Sequence, residues 1–236
     1  MTNIFFREAK RAVCMLALCL IASAALLAQD TEVAHPWRAG VSIGGNYNWY
    51  SIDTHYQTDY GYTGFFGGSA AAFGQYDFFP WFGLRAELEV SERNHIFYRN
   101  SIYSGTRHIT LNTYLQMPMM AQFSFGSNEV RGFFNTGVYA GYWASSRIWG
   151  TMVNSIMGEI VKINQPYIFH FQKDRRLDLG LAGSMGIEYF PAEHWVVSIE
   201  GRCYYSLLST VRQYMAVADF RYNTTIALQI GAAYIF

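Results

Sequence analysis

Cysteine is nearly missing from this chain. Cys14 and Cys19 fall in an N-terminal apolar stretch, which leaves Cys203 alone in the rest of the sequence. No intramolecular disulfide can staple that part, so the small secreted scaffolds that depend on such bridges are excluded. Proline is scarce as well, at five residues in 236. Beyond Leu27 no run approaches 18 apolar residues, which excludes a membrane-crossing helix there. Charged residues make up only 14% of the chain and sum to zero, so no nucleic-acid surface is implied. H-E-x-x-H, C-x-x-C and phosphate-binding glycine loops are all absent. No cofactor or metal is expected.

What the chain does have is aromatic residues, at 18%, and 21 glycines. A membrane β-barrel needs both: aromatic girdles at two interfaces, and glycine where side chains crowd the lumen. The stretch Ile226 to Phe236 carries the pattern most clearly. Ile226, Leu228, Ile230, Ala232, Tyr234 and Phe236 share one face, and Ala227, Gln229, Gly231, Ala233 and Ile235 the other. About ten tilted residues cross a bilayer core, so this reads as a strand with one side in hydrocarbon. Tyr234 and Phe236 close it on aromatics, which resembles the C-terminal assembly signal of outer-membrane barrels.

Lys10 and Arg11 precede the uncharged run Ala12–Leu27, and Gln29, Asp30 and Glu32 end it. A basic region, an apolar core and small residues describe a secretory signal peptide, expected as a helix over 1–28 with cleavage after Ala28. Removing Arg7, Lys10, Arg11 and Glu8 from 17 basic and 17 acidic side chains leaves 14 and 16, a net charge of −2. The remaining 29–236 suits one domain.

Eight segments alternate, near 37–49, 64–78, 82–97, 107–125, 131–144, 175–190, 194–208 and 219–236. An even number of strands with an apolar outer face fits closure into an eight-stranded antiparallel transmembrane barrel. The links alternate short and long. Tight turns at 79–81, 126–130 and 191–193 predict the periplasmic end, and longer links near 50–63, 98–106, 145–174 and 209–218 the cell surface. Within the third long link, Met152 to Ile163 reads as a short helix.

Arg38, Arg85, Glu87, Glu89, Arg93, Asp178, Glu188, Glu200 and Arg202 all fall on the inner face. Eight strands enclose a lumen that side chains can fill, and unpaired charges there would be costly. A structural Arg–carboxylate network is therefore expected rather than acid–base chemistry. The catalytic alternative is Asp53, His55 and Asp59 in the first surface link. Ser206 and Ser209 stand near Glu200, but no histidine neighbours them in sequence.

Certain segments carry a family resemblance. Tyr114-Leu-Gln-Met-Pro-Met-Met-Ala-Gln-Phe123 resembles a tyrosine-leucine-x-apolar-proline strand of the PorT-like outer-membrane β-barrel family. Phe133-Phe-Asn-Thr-Gly-Val-Tyr-Ala-Gly-Tyr142 is similar to the next strand of that family, and Asp178 to Tyr189 to its sixth. Arg38 to Asn46 fits its first. The resemblance implies a barrel in the outer membrane of a Gram-negative cell, in contact with outer-membrane lipids and the barrel-insertion machinery. Its namesake takes part in type IX protein secretion, which implies secretion-complex or envelope proteins as partners. The expectation is a non-enzymatic barrel with a scaffold or binding role, accessory to secretion. The alternatives are a surface lipid hydrolase or protease, and a small solute channel.

Overall fold

The computed structural model describes residues 35–53, 59–100, 104–154, 158–212 and 220–236. The expected signal peptide (1–28) and His55 lie outside these residues, as does the side chain of Asp53.

Among the described residues ten strands form one antiparallel sheet. They are β1 (Trp37–Asp53), β2 (Tyr60–Phe79), β3 (Phe82–Glu92), β4 (His95–Arg99), β5 (Arg107–Gly126), β6 (Val130–Val153), β7 (Ile160–Pro166), β8 (Leu177–Ala192), β9 (Trp195–Ser206) and β10 (Phe220–Ile235). Eight of them close a ring in the order β1, β2, β3, β5, β6, β8, β9, β10. The ring is sealed where β10 returns to β1, in unbroken register from Arg38↔Ile235 to Asp53↔Phe220.

The eight expected segments map onto this ring, with two differences. The segment near 82–97 is broken at Arg93 and Asn94, and β4 continues the wall between β2 and β5. Among the described residues of Met152–Ile163 no helix is formed. Met152 and Val153 instead pair with Val161 and Ile160, so β6 and β7 build a hairpin that rises from the rim. Ile160, Val161 and Val153 are β-branched and suit a pleated edge better than a helical turn.

Polarity is inverted relative to a water-soluble core. On β10, Gln229, Gly231 and Ala233 are buried, while Ile226, Leu228 and Ile230 are exposed. The same alternation runs through β3, where Arg85, Glu87 and Glu89 point in and Leu84, Leu88 and Val90 point out. A continuous outer belt of Val, Leu, Ile and Met is not tolerable in water but is what hydrocarbon requires. Glycines let inner rings lie flat on the wall. A Cβ at Gly180 would sit 2.6 Å from the Tyr139 ring, and one at Gly186 would sit 2.7 Å from Phe133.

One irregularity sets up the upper mouth. Thr113 pairs with Ser145 but Tyr114 pairs with Trp143, so Ala144 is an extra residue in β6. Such a bulge reverses which side chains face inward beyond it. Below it Tyr139 and Trp143 are buried; above it Ser146 takes the inner face. Arg176 satisfies the displaced carbonyls, its Nε donating to Trp143 O at 2.9 Å and its Nη2 to Ala144 O at 2.8 Å.

Candidate functional site

Two places could carry function: the charged lumen, and a cavity above it. The short turns join β2–β3, β5–β6 and β8–β9 at one mouth, where both ends of the described barrel wall also lie. The longer connections rim the other.

The lumen is filled in tiers. At the short-turn mouth, Arg38 donates to Asp77 at 2.7 and 3.0 Å and to Glu188 at 2.9 Å. Gln122 Nε2 adds a bond to Glu188 at 3.0 Å. In the middle, Arg202 binds Glu87 through both Nη atoms, at 2.5 and 2.8 Å, and Glu200 through Nε at 2.8 Å. Arg85 pairs with Glu87 at 2.6 Å and lies over Phe73, its guanidinium carbon 3.8 Å from the ring centre. Glu89 accepts from the Tyr204 hydroxyl at 2.6 Å.

Above this, Arg93 bridges Asp178 and Gln116. Tyr139 and Ser206 also donate to Asp178. The Arg93 guanidinium faces the rings of Tyr114 and Tyr139 at 4.8 and 5.0 Å, within cation–π range.

All nine inner-face charges named from the sequence are thus buried in the lumen and linked to partners. Asp77 escapes the sequence reading because it lies at the end of β2, beside a register shift. Multiple bonds to each guanidinium offset the cost of taking these charges out of water.

The second site lies beyond the Arg93 tier, where Asn48, Asn223 and Thr225 end the packed lumen. A cavity of about 170 Å³ opens there. Tyr50, Tyr62, His95, Phe97 and His108 form one wall, and Trp143 with Tyr167 another. Their rings brace one another: Tyr50 lies 4.5 Å from His95, Phe97 4.9 Å from His108, and Trp143 5.9 Å from Tyr167. Arg221 enters from β10, its Nη1 donating to the Tyr62 hydroxyl at 2.9 Å. The remaining side is made by chain segments that zip together, with Arg175 N on Thr210 O at 2.9 Å and Arg212 N on Lys173 O at 2.8 Å.

The outer face turns charged at this level, with Glu92 on β3, Arg107 on β5 and Arg147 on β6 exposed beside the aromatic Trp149, so this mouth lies above the continuous apolar band. Burial lowers the His95 pKa to about 3, with Arg221 and His108 acting in the same direction. Burial lowers that of His108 too. Both rings are therefore neutral at pH 7. Asn112 Nδ2 can only donate, so His95 Nδ1, 3.2 Å away, is the accepting nitrogen and the proton sits on Nε2. Burial also raises the Tyr50 hydroxyl and holds it protonated.

Of the residues named as catalytic alternatives, His55 and the side chain of Asp53 lie outside the described residues. Asp59 contributes a backbone carbonyl to Asn100 N at 2.9 Å. Ser206 is taken up by Asp178, and Ser209 Oγ accepts from the backbone of Val211 and Arg221. Among the described residues no cluster of His, Cys, Asp or Glu could hold a metal ion. Tyr234 and Phe236 lie on the outer face at the short-turn mouth, with Trp195 5.4 Å from Tyr234.

The sequence reading missed the cavity. Tyr50, Tyr62, His108 and Trp143 carry no motif. The available signal was aromatics continuing on the inner face after the outer apolar belt had ended.

The family described as outer membrane protein beta-barrel domain matches residues 27–212. No curated protein matches the chain. Among solved structures, the outer membrane protease OmpT from Escherichia coli is similar at 10% identity and TM-score 0.50, covering 88% of this chain and 99% of that one. OprG from Pseudomonas aeruginosa follows at 13% and 0.48, covering 86% and 97%. Ail, the attachment invasion locus protein of Yersinia pestis, is similar at 13% and 0.43, covering 85% and 99%. At such identities the likeness is one of fold alone.

Proposed function

The chain belongs to the outer membrane protein beta-barrel domain family and resides in the outer membrane, and from that premise we propose that it is a sealed, non-enzymatic barrel that works as a scaffold or binding protein at its surface mouth. The observation that carries this reading is the filled lumen. Arg38, Arg85, Arg93 and Arg202 each engage carboxylates from facing walls, from Asp77 and Glu188 below to Asp178 above. A solute channel would need an open path through these pairs, and eight strands leave none once such side chains are in place.

Purified protein in planar bilayers tests the proposal. The sealed barrel gives no steady conductance, whereas stable nanosiemens-scale channels from the unmodified protein would remove the argument. Surface proteolysis or lipid hydrolysis by the same preparation would remove the non-enzymatic part.

A second, finer reading is an accessory role in protein secretion, favoured by the PorT-like strand Tyr114–Phe123. Its inner residues Tyr114 and Gln116 both contact Arg93 in the upper tier, so the stretch on which the resemblance rests is tied into the lumen core. Gentle extraction from native membranes tests it: secretion components co-purify, or the reading fails. The leader over 1–28 is proposed to be removed after Ala28, which N-terminal sequencing of the mature protein would establish.

A further inference from the structure

The cavity at the surface mouth has three buried nitrogens with no hydrogen-bond partner among the described residues: Trp143 Nε1, Arg221 Nε and His108 Nδ1. Trp143 is only 6% exposed, so its N–H has no ready access to water. Leaving such a donor unpaired is costly, and a folded protein rarely keeps several in one place without a use. Their chemistry is mostly donating, since an indole N–H and a guanidinium N–H can only donate.

We propose that this cavity is a binding site for a small single-ring carboxylate, an aromatic acid of about the size of benzoate. Three observations converge on that ligand. The volume of about 170 Å³ is close to that of an apolar cavity, about 150 Å³, known to take up benzene, and too small for a nucleotide or a disaccharide. The walls are flat: Tyr50, Tyr62, Phe97 and Trp143 present ring faces and edges between which another ring stacks. The charge suits a monoanion. Arg221 and Lys173 line the space, against the one carboxylate of Asp174. Asp174 is already satisfied, accepting from the Tyr167 hydroxyl at 3.0 Å and from His170 N at 2.8 Å. A carboxylate set beside Arg221 would take the bond that its Nε lacks, while the ring occupies the aromatic walls.

This inference rests on the reading of the barrel as a surface binding protein, and it is tested by calorimetric titration of the purified full-length protein. Benzoate should bind saturably with a Kd of about 1 mM or tighter. Benzyl alcohol, which keeps the ring without the charge, and acetate, which keeps the charge without the ring, should each bind at least about tenfold more weakly. Arg221→Gln should weaken benzoate about tenfold, and Trp143→Phe, which removes only the N–H donor and indole bulk, severalfold. Benzoate failing to saturate at about 20 mM, or matched by either analogue, would overturn the proposal whatever the variants do. Conductance measured on the same sample separates the two readings. A conducting barrel that binds benzoate sinks only the sealed-lumen reading, and a sealed barrel that ignores benzoate sinks only this one.

Discussion

Arg202 and Glu87 meet across the lumen in a two-pronged ion pair, although 115 residues separate them in sequence. The same guanidinium also holds Glu200 at 2.8 Å and lies 3.5 Å from Glu89. Three carboxylates from two facing walls therefore share one cation, with Arg85 assisting two of them.

Replacing Arg202 with Ala should cost about 3–5 kcal/mol, because it strands buried carboxylates rather than merely deleting a contact. Arg202→Lys should cost less, since it keeps the charge and loses the fork. Denaturant unfolding in detergent, read by the heat-modifiable gel shift, measures both. A loss below about 1 kcal/mol for Arg202→Ala would mean that the network is not needed for stability.

At the short-turn mouth, Arg38 is gripped by both Asp77 and Glu188. A double-mutant cycle of Arg38→Met with Glu188→Gln should show a coupling of about 1–3 kcal/mol. Strict additivity of the two single changes would show that the pair is not coupled in solution.

The surface mouth should weaken in acid. His95 has its pKa lowered to about 3 by burial, while in the unfolded chain it takes up a proton below about 6.5. The groups facing it are Tyr50, Tyr62, Asn112, His108 and Arg221, none of which offers a carboxylate to an imidazolium. Its contribution is therefore complete above about pH 6.5 and declines as the pH falls toward 3, by about 1.4 kcal/mol per unit. At pH 5 wild type should have lost about 2 kcal/mol more than His95→Gln has. The same loss in both proteins would show that His95 is not the group responsible.

Phe236→Asp should reduce insertion. Phe236 is 62% exposed on the outer face, next to Tyr234 in a girdle where aromatic rings are favoured and a charge is not. Ala233→Ser, on the inner face, should be milder. Surface protease accessibility of the β6–β7 hairpin reports how much barrel is inserted. Equal accessibility in Phe236→Asp and wild type would count against an assembly role for this end of β10.

Much of this architecture was legible because a barrel wall obeys a period of two. Leu84 to Glu89 cannot alternate as they do without placing Arg85, Glu87 and Glu89 together, and so the charged lumen could be read from the sequence. What could not be read depends on departures from that period. Ala144 has no signature as a bulge, yet beyond it Ser146 rather than Ser145 takes the inner face. The β6–β7 hairpin was mistaken for a helix because a polar link of moderate length carries no clear alternation. The cavity itself needs Tyr50, Phe97, Tyr167 and Arg221 from four distant parts of the chain, and no local pattern announces such a meeting.

The seam between β1 and β10 joins positions 167 to 197 residues apart, from Asp53↔Phe220 to Arg38↔Ile235. Every other wall contact of the ring can grow outward from a hairpin or a nearer neighbour, but this one must wait for the whole circuit. Bringing such distant ends together carries a loop-closure entropy that rises only slowly with length, so the delay is kinetic more than energetic. Until it forms, two full-length rows of peptide N–H and C=O groups stand without partners, a condition hydrocarbon does not permit. The sheet must then enter the bilayer either already sealed or with its free edges lent to another strand.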